Sequence, residues 1–162
     1  MIVDRSTIER LVPHRALFYA GRWHAPKAGG TFEASDPATG TILGEVPDGR
    51  ADDVDAAVAA AHKGAAAWRR TPPLERARVL KQIAAVIRAN VEDLATIDAA
   101  DGGNPIAKVR ADVMQAAARF EFFAGLVTEI KGDTIPGRDG TLTFTQREPF
   151  GVVARIVAYN HP

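Results

Sequence analysis

Asn160 is the residue in this chain whose type and setting most invite chemistry. It follows the apolar, β-branched run of residues 151–158, and its carboxamide can donate a hydrogen bond to a developing oxyanion without changing its own charge. An amide at the carboxyl end of a core strand also stands where open α/β sheets hold their ligands. On spacing alone, a turn-capping asparagine ahead of His161-Pro162 is the stronger reading.

The other candidate groups have plainer explanations. Four histidines, His14, His24, His62 and His161, form no pair at ligand spacing, so no metal site is expected. Zero cysteines means no disulfide framework, no thiolate metal site and no cysteine nucleophile in this stretch. The acidic pairs Asp52/Asp53 and Glu92/Asp93 fall at helix starts, where the dipole accounts for them. Gly29-Gly30 and Gly102-Gly103 lack the strand, glycine spacing and helix of a phosphate loop, and Gly151 alone is no dinucleotide fingerprint.

The elements that must position Asn160 can be read backwards from it. Residues 151–158 are continuously apolar rather than alternating, the pattern of a strand buried on both faces of a parallel sheet. Such a strand needs a crossover and a neighbour, so the chain reads as the front piece of something larger. Before it, Leu142 and Phe144 alternate with Thr141, Thr143 and Thr145 after an Asp139-Gly140 turn, predicting a one-sided ribbon over residues 141–146.

Four helices are expected upstream. The first begins near Ala51 with Val54, Val58, Ala61, Ala65 and Trp68 on one stripe. Thr71 as N-cap and Pro72 at the first helical position open a second, with Leu80, Ile83, Ala84 and Ile87 on its apolar face. A short third, over residues 91–100, is stopped by Gly102-Gly103. The fourth runs over residues 106–130, with Val109, Val113, Ala117, Phe120, Phe123, Ala124 and Val127 at helical spacing and Gly132 as its stop. Phe120, Phe122 and Phe123 are expected to pack in the core. Nearer the start, residues 16–23 and 31–35 with the turn-rich 26–30 between them predict a β-hairpin. Asp36-Pro37-Ala38-Thr39-Gly40 then makes a turn into a strand over residues 41–46.

Composition narrows the partners. Twenty basic and twenty acidic residues leave no net charge to draw nucleic acid or anionic membrane. No segment approaches the length of a membrane span, and residues 1–15 lack the uninterrupted apolar stretch of a secretory signal. With no cysteine present, a cytoplasmic location is expected.

Taken in order, Phe32, Asp36-Pro37-Ala38-Thr39-Gly40, Asp53-Val54-Asp55-Ala56-Ala57-Val58, Trp68-Arg69-Arg70, Asp101-Gly102-Gly103-Asn104-Pro105, Phe123-Ala124-Gly125, Gly132-Asp133-Thr134-Ile135-Pro136 and Arg147-Glu148-Pro149-Phe150-Gly151-Val152-Val153 form a specific series. From about residue 17 to residue 162 it resembles the amino-terminal third of NAD(P)-dependent aldehyde dehydrogenases. The resemblance implies an α/β fold: an N-terminal β-hairpin and helical segment packed on the start of a Rossmann-type sheet, incomplete here, with part of a β oligomerisation arm. The implied organisation is an extension at 1–15, a β-hairpin and strand segment at 16–50, and the helical part of the NAD(P)-binding domain at 51–132. The loop and ribbon of the arm follow at 133–149, and the first core strand of the cofactor sheet at 150–162.

The resemblance further implies NAD or NADP as cofactor, a small aldehyde as substrate, and a homodimer or homotetramer without nucleic-acid or membrane partners. Ile156, Val157 and Tyr159 match positions beside the nicotinamide half of the cofactor, and Asn160 matches the oxyanion donor. Asp101, with backbone carbonyls near Ala34 and Ser35, matches a place where some members hold a structural monovalent cation; as a carboxylate before two glycines it also reads as a turn residue. In the family a cysteine thiolate attacks the aldehyde, hydride passes from the thiohemiacetal to NAD(P), and a glutamate assists thioester hydrolysis. The cysteine, the glutamate, the ribose-contacting lysine and the pyrophosphate glycines belong to later parts of the pattern, so this stretch alone is expected to be inactive. The alternative is a stand-alone, non-catalytic fragment or an inactive relative that binds partners through its apolar strand and ribbon.

One departure bears on substrate choice. The family's Pro-Trp-Asn-Phe-Pro is Ala158-Tyr159-Asn160-His161-Pro162 here, so an imidazole replaces a substrate-facing phenylalanine. A polar, carboxylate-bearing or hydroxylated aldehyde is expected to be favoured over a long alkyl one. In full-length enzyme, His161→Phe should lower the ratio of kcat/KM for polar over alkyl aldehydes by about tenfold. An unchanged ratio would remove His161 from substrate selection.

Overall fold

The computed structural model describes residues 3–158, in the order α1 (Arg5–Leu11), β1 (Leu17–Tyr19), β2 (Arg22–His24), β3 (Thr31–Ser35), β4 (Ile42–Pro47), α2 (Ala51–Arg70), α3 (Pro73–Ala89), α4 (Val91–Gly102), α5 (Ile106–Gly125), β5 (Thr134–Ile135) and β6 (Thr143–Phe144). The chain is α/β, and among its helices the most extensive packing is between α5 and α3 and then between α5 and α4. Ala84 on α3, Ala95 on α4 and Ala117 on α5 are wholly buried. Such small side chains let helix backbones approach closely, and Val109 and Ala124 of α5 extend the buried line. Two bidentate ion pairs fix the helices' rotation on the outside. Arg88 of α3 donates to both carboxylate oxygens of Glu121 at 3.1 and 2.8 Å, and Arg110 of α5 donates from Nε to both of Glu92 on α4 at 2.8 and 2.9 Å. Their exposure makes them guides to register rather than sources of stability.

The corner between α4 and α5 carries the β segment. Gly103 ends α4 at φ 70°, and its N–H donates to the Ala99 carbonyl at 3.0 Å. A Cβ at this position would stand 2.8 Å from Cγ of Pro37. Glycine is therefore required twice here, once for the left-handed backbone and once for the approach of the Asp36–Gly40 turn. That turn is held by the buried Asp36, whose Oδ1 accepts the Ala38 N–H at 2.7 Å, and by the Gly40 N–H donating to the Asp36 carbonyl at 2.8 Å. It closes the antiparallel pair β3–β4.

The strand pairing differs from the expected hairpin. Residues 16–23 do not pair with 31–35; β1 folds back on β2 and β3 pairs with β4, with β5–β6 as a third two-stranded sheet. The connection between β1 and β2 is the two-residue turn Ala20-Gly21, both at positive φ (53° and 75°), the hand that matches strand twist. Alanine at the first of these positions hides the turn, because the usual Asn, Asp or Gly signal is missing.

The helix ends also shift. Thr71 caps the end of α2, its N–H donating to the Trp68 carbonyl at 3.1 Å and its Oγ1 to Ala67 at 3.3 Å. Pro72 is extended at ψ 145° and α3 starts at Pro73, since a residue before proline is pushed out of the helical region. Helix α5 ends at Gly125, not near Gly132, with Leu126 capping onto the Phe123 carbonyl. Phe120 is half-buried, but Phe122 and Phe123 are exposed and meet only edge to face, against the expectation that all three pack inside. On α2 the apolar stripe of Val54, Val58 and Trp68 is likewise exposed.

At the start of α2, the buried Asp53 does more than complement the helix dipole. Its Oδ2 accepts the Arg50 N–H at 3.1 Å and its Oδ1 the Lys27 N–H at 3.0 Å, tying the loop after β2 to the helix. These two backbone donors, Arg50 first, hold the Asp53 carboxyl below the usual aspartate range.

The expected first core strand, placed at 150–162, is not formed over its described part. Residues 151–158 pair with no strand among the described residues, and Phe150 is 99% and Ile156 97% exposed. A helix satisfies its own backbone groups, but a strand's N–H and C=O groups need a second strand, so apolar β-branched sequence alone cannot make one.

Two stability measurements check this description. Gly103→Ala should lower the unfolding free energy in urea by about 1–2 kcal/mol from the left-handed backbone alone, with the Pro37 overlap adding to it. For Asp53, a lowered folded-state pKa means its contribution is complete above the unfolded-state value near ~4 and is lost as pH falls through the lower folded value. Asp53→Asn should therefore reduce stability at neutral pH and flatten its decline below about pH 4, measured by urea titrations across the acid range.

Candidate functional site

The expected site residues cluster at residues 156–160. Ile156 is 97% and Val157 48% exposed on an unpaired segment, while Tyr159, Asn160 and His161 lie outside the described residues. The root of the segment is tied back to the helical part by an ion pair between Arg69, at the end of α2, and Glu148, at 3.2 Å. Both side chains are more than half exposed, so the pair steers the segment without anchoring it firmly.

Ile156 and Val157 present bare apolar surface and form no enclosed pocket with other described residues. Among the described residues no glycine-rich loop joins a strand to a helix, so nothing is arranged to cradle phosphates. Among them, too, no three His, Asp or Glu side chains gather to hold a metal ion.

Two concavities lie elsewhere. One, of about 380 Å³, is a shallow trough on the β5–β6 ribbon between Asp133, Leu142, Phe144 and Thr145. The ribbon is closed by the Thr145 N–H donating to the Asp133 carbonyl at 2.9 Å and the Asp133 N–H donating to Thr145 Oγ1 at 2.8 Å. Its apolar side chains remain uncovered, Leu142 at 75% and Phe144 at 60% exposure. The second, of about 190 Å³, lies at the α4–α5 corner between Val3, Asp36, Ala100, Gly103 and Asn104. Asp101 is exposed in the last turn of α4, which abuts β3, the strand carrying Ala34 and Ser35.

Two structural contacts had no visible signal in the chain. Arg15 lies across Gly44 and donates from Nη2 to the Leu43 carbonyl at 3.0 Å, although 28 positions separate the partners. The Asp53–Lys27 bond is similarly remote, and an acidic residue at a helix start conceals it. No helix among the described residues is long and apolar enough to cross a membrane.

The model of the aldehyde dehydrogenase family matches residues 23–162. Aldehyde dehydrogenase tropH of Talaromyces stipitatus is 40% identical over 159 residues, covering 96% of this chain and 31% of the relative. The crystal structure of PnpE from Pseudomonas sp. WBC-3 superimposes with a TM-score of 0.87 at 38% identity, over 92% of this chain and 31% of that one. A PnpE structure in complex with nicotinamide adenine dinucleotide gives a TM-score of 0.79 at 36% identity, over 83% of this chain and 28% of that one. The chain thus spans less than a third of the length of each of these relatives. By sequence and by fold, the chain belongs to the aldehyde dehydrogenase family.

Proposed function

We propose that these residues form the amino-terminal part of an oxidoreductase that oxidises a small aldehyde to the carboxylic acid with NAD or NADP. The observation that carries this reading is the ordered series of motifs from Phe32 to Pro162, lying within the family-matched residues 23–162. The likeness to PnpE, a protein solved with nicotinamide adenine dinucleotide, supports the choice of cofactor class.

In this reading Asn160 donates its carboxamide N–H to the aldehyde oxygen as that oxygen gains negative charge. A neutral donor suits the task, because it holds the oxyanion without a proton leaving or arriving and is already aimed when charge develops; such donors contribute about 3 kcal/mol. Ile156, Val157 and Tyr159 flank the nicotinamide and keep water from its face. The bound dinucleotide supplies the hydride acceptor. The attacking thiolate must come from outside these 162 residues, which hold no cysteine, and the resemblance puts the general-base glutamate there as well. The stretch alone is accordingly inactive. The uncovered Leu142 and Phe144 suit the ribbon to pairing between subunits of a cytoplasmic homodimer or homotetramer.

The test is Asn160→Ala in the full-length enzyme. The kcat should fall by about 10²–10³-fold, with cofactor affinity retained. An unaltered kcat would exclude Asn160 as the oxyanion donor, and an absence of aldehyde oxidation in the unsubstituted enzyme would overturn the function itself.

A further inference from the structure

Residues 3–15 precede the residues matched by the family model, 23–162, and yet two of their side chains, Val3 and Ile8, are buried. We propose that they act as a detachable strap, fastening the β3–β4 hairpin to the end of α4 by one apolar plug and one guanidinium clasp.

The plug is a single cluster drawn from three elements. Val3 and Ile8 are each 6% exposed, and they close on Leu43 of β4 and Ala100 of α4, with Val12 packed alongside. Helix α1 packs chiefly on β4 and α4. It starts cleanly, because the Asp4 side chain accepts the Thr7 N–H at 2.8 Å. At its far end comes the clasp, where Arg15 Nη2 donates to the Leu43 carbonyl at 3.0 Å. The guanidinium occupies the space that a side chain would fill at residue 44, for a Cβ on Gly44 would overlap it. Gly44 sits at φ 144°, so β4 has at one point a residue with the freedom and the bareness to receive Arg15.

This arrangement behaves as a strap because α1 is only seven residues long. A helix of that length is not stable alone in water, so its folding and its docking are one event. When it leaves, the apolar contact between β4 and α4 goes with it, and Val3 no longer walls the cavity of about 190 Å³ at the Asp36–Gly103 corner. The α3–α5 packing uses other residues, Ala84, Ala117 and Val109 among them, and does not need the strap. Release is therefore a local opening rather than unfolding.

Hydrogen exchange followed by mass spectrometry on the full chain tests this with two variants. Ile8→Ala withdraws the plug and Arg15→Ala the clasp. For Ile8→Ala, amides in residues 5–11, 31–35 and 42–47 should exchange about tenfold faster or more, while those of α3 and α5 keep their rates. Arg15→Ala should produce the same pattern at smaller amplitude. Unchanged exchange in residues 31–47 would overturn the proposal. So would equal acceleration throughout α3 and α5, because α1 would then be an integral part of the core.

Discussion

The close approach of α5 to α3 and α4 across small buried residues is the contact on which the described structure hangs. Ala84, Ala95 and Ala117 are each completely buried, and their size decides how near the helix axes can come. Because α4 is placed by α5, the left-handed Gly103 at its end is also placed, and against Gly103 lies Pro37 of the β3–β4 turn. That hairpin in turn offers Leu43 and Gly44 to residues 3–15. Position is thus handed from helix to corner to hairpin to strap, each step through a few residues.

Around this framework, much apolar surface has no partner among the described residues. The α2 stripe, Phe122 and Phe123 on α5, Leu142 and Phe144 on the ribbon, and Phe150 and Ile156 beyond it are all largely exposed. Apolar exposure on this scale characterises surfaces that meet another surface. The chain spans less than a third of relatives such as tropH and PnpE, and the uncovered faces lie on α2, on α5, on the ribbon and on the segment after it. Charged contacts cannot substitute for that covering. The Arg69–Glu148 pair joins two exposed side chains, and solvent screens most of what it could contribute.

Legibility followed the range of the forces involved. The stripes of α2, α3 and α5, the Gly102-Gly103 stop and the Asp36–Gly40 turn are local patterns, and they appear in the structure close to where spacing placed them. The boundary at Thr71 to Pro73 moved because two prolines compete for one helix start. The β1–β2 turn was hidden by Ala20, whose positive φ no composition rule anticipates. Asn160 and Tyr159 fall outside the described residues, so the roles proposed for them rest on the motif they occupy, and Ile156 and Val157 are exposed on an unpaired segment.

By itself the sequence determined the four helices from α2 to α5, their order, the Asp36–Gly40 turn and the family, because these depend on spacing, on capping and on an ordered series of motifs within one chain. Tertiary structure alone decided which faces are covered, which strands pair, and that Arg15 crosses Gly44 while Asp53 reaches Lys27. A helix completes its hydrogen bonds within itself, whereas a strand, a socket or a remote carboxylate is defined by what is brought to it. Residues 151–158 carry the sequence of a core strand and stand unpaired among the described residues for that reason.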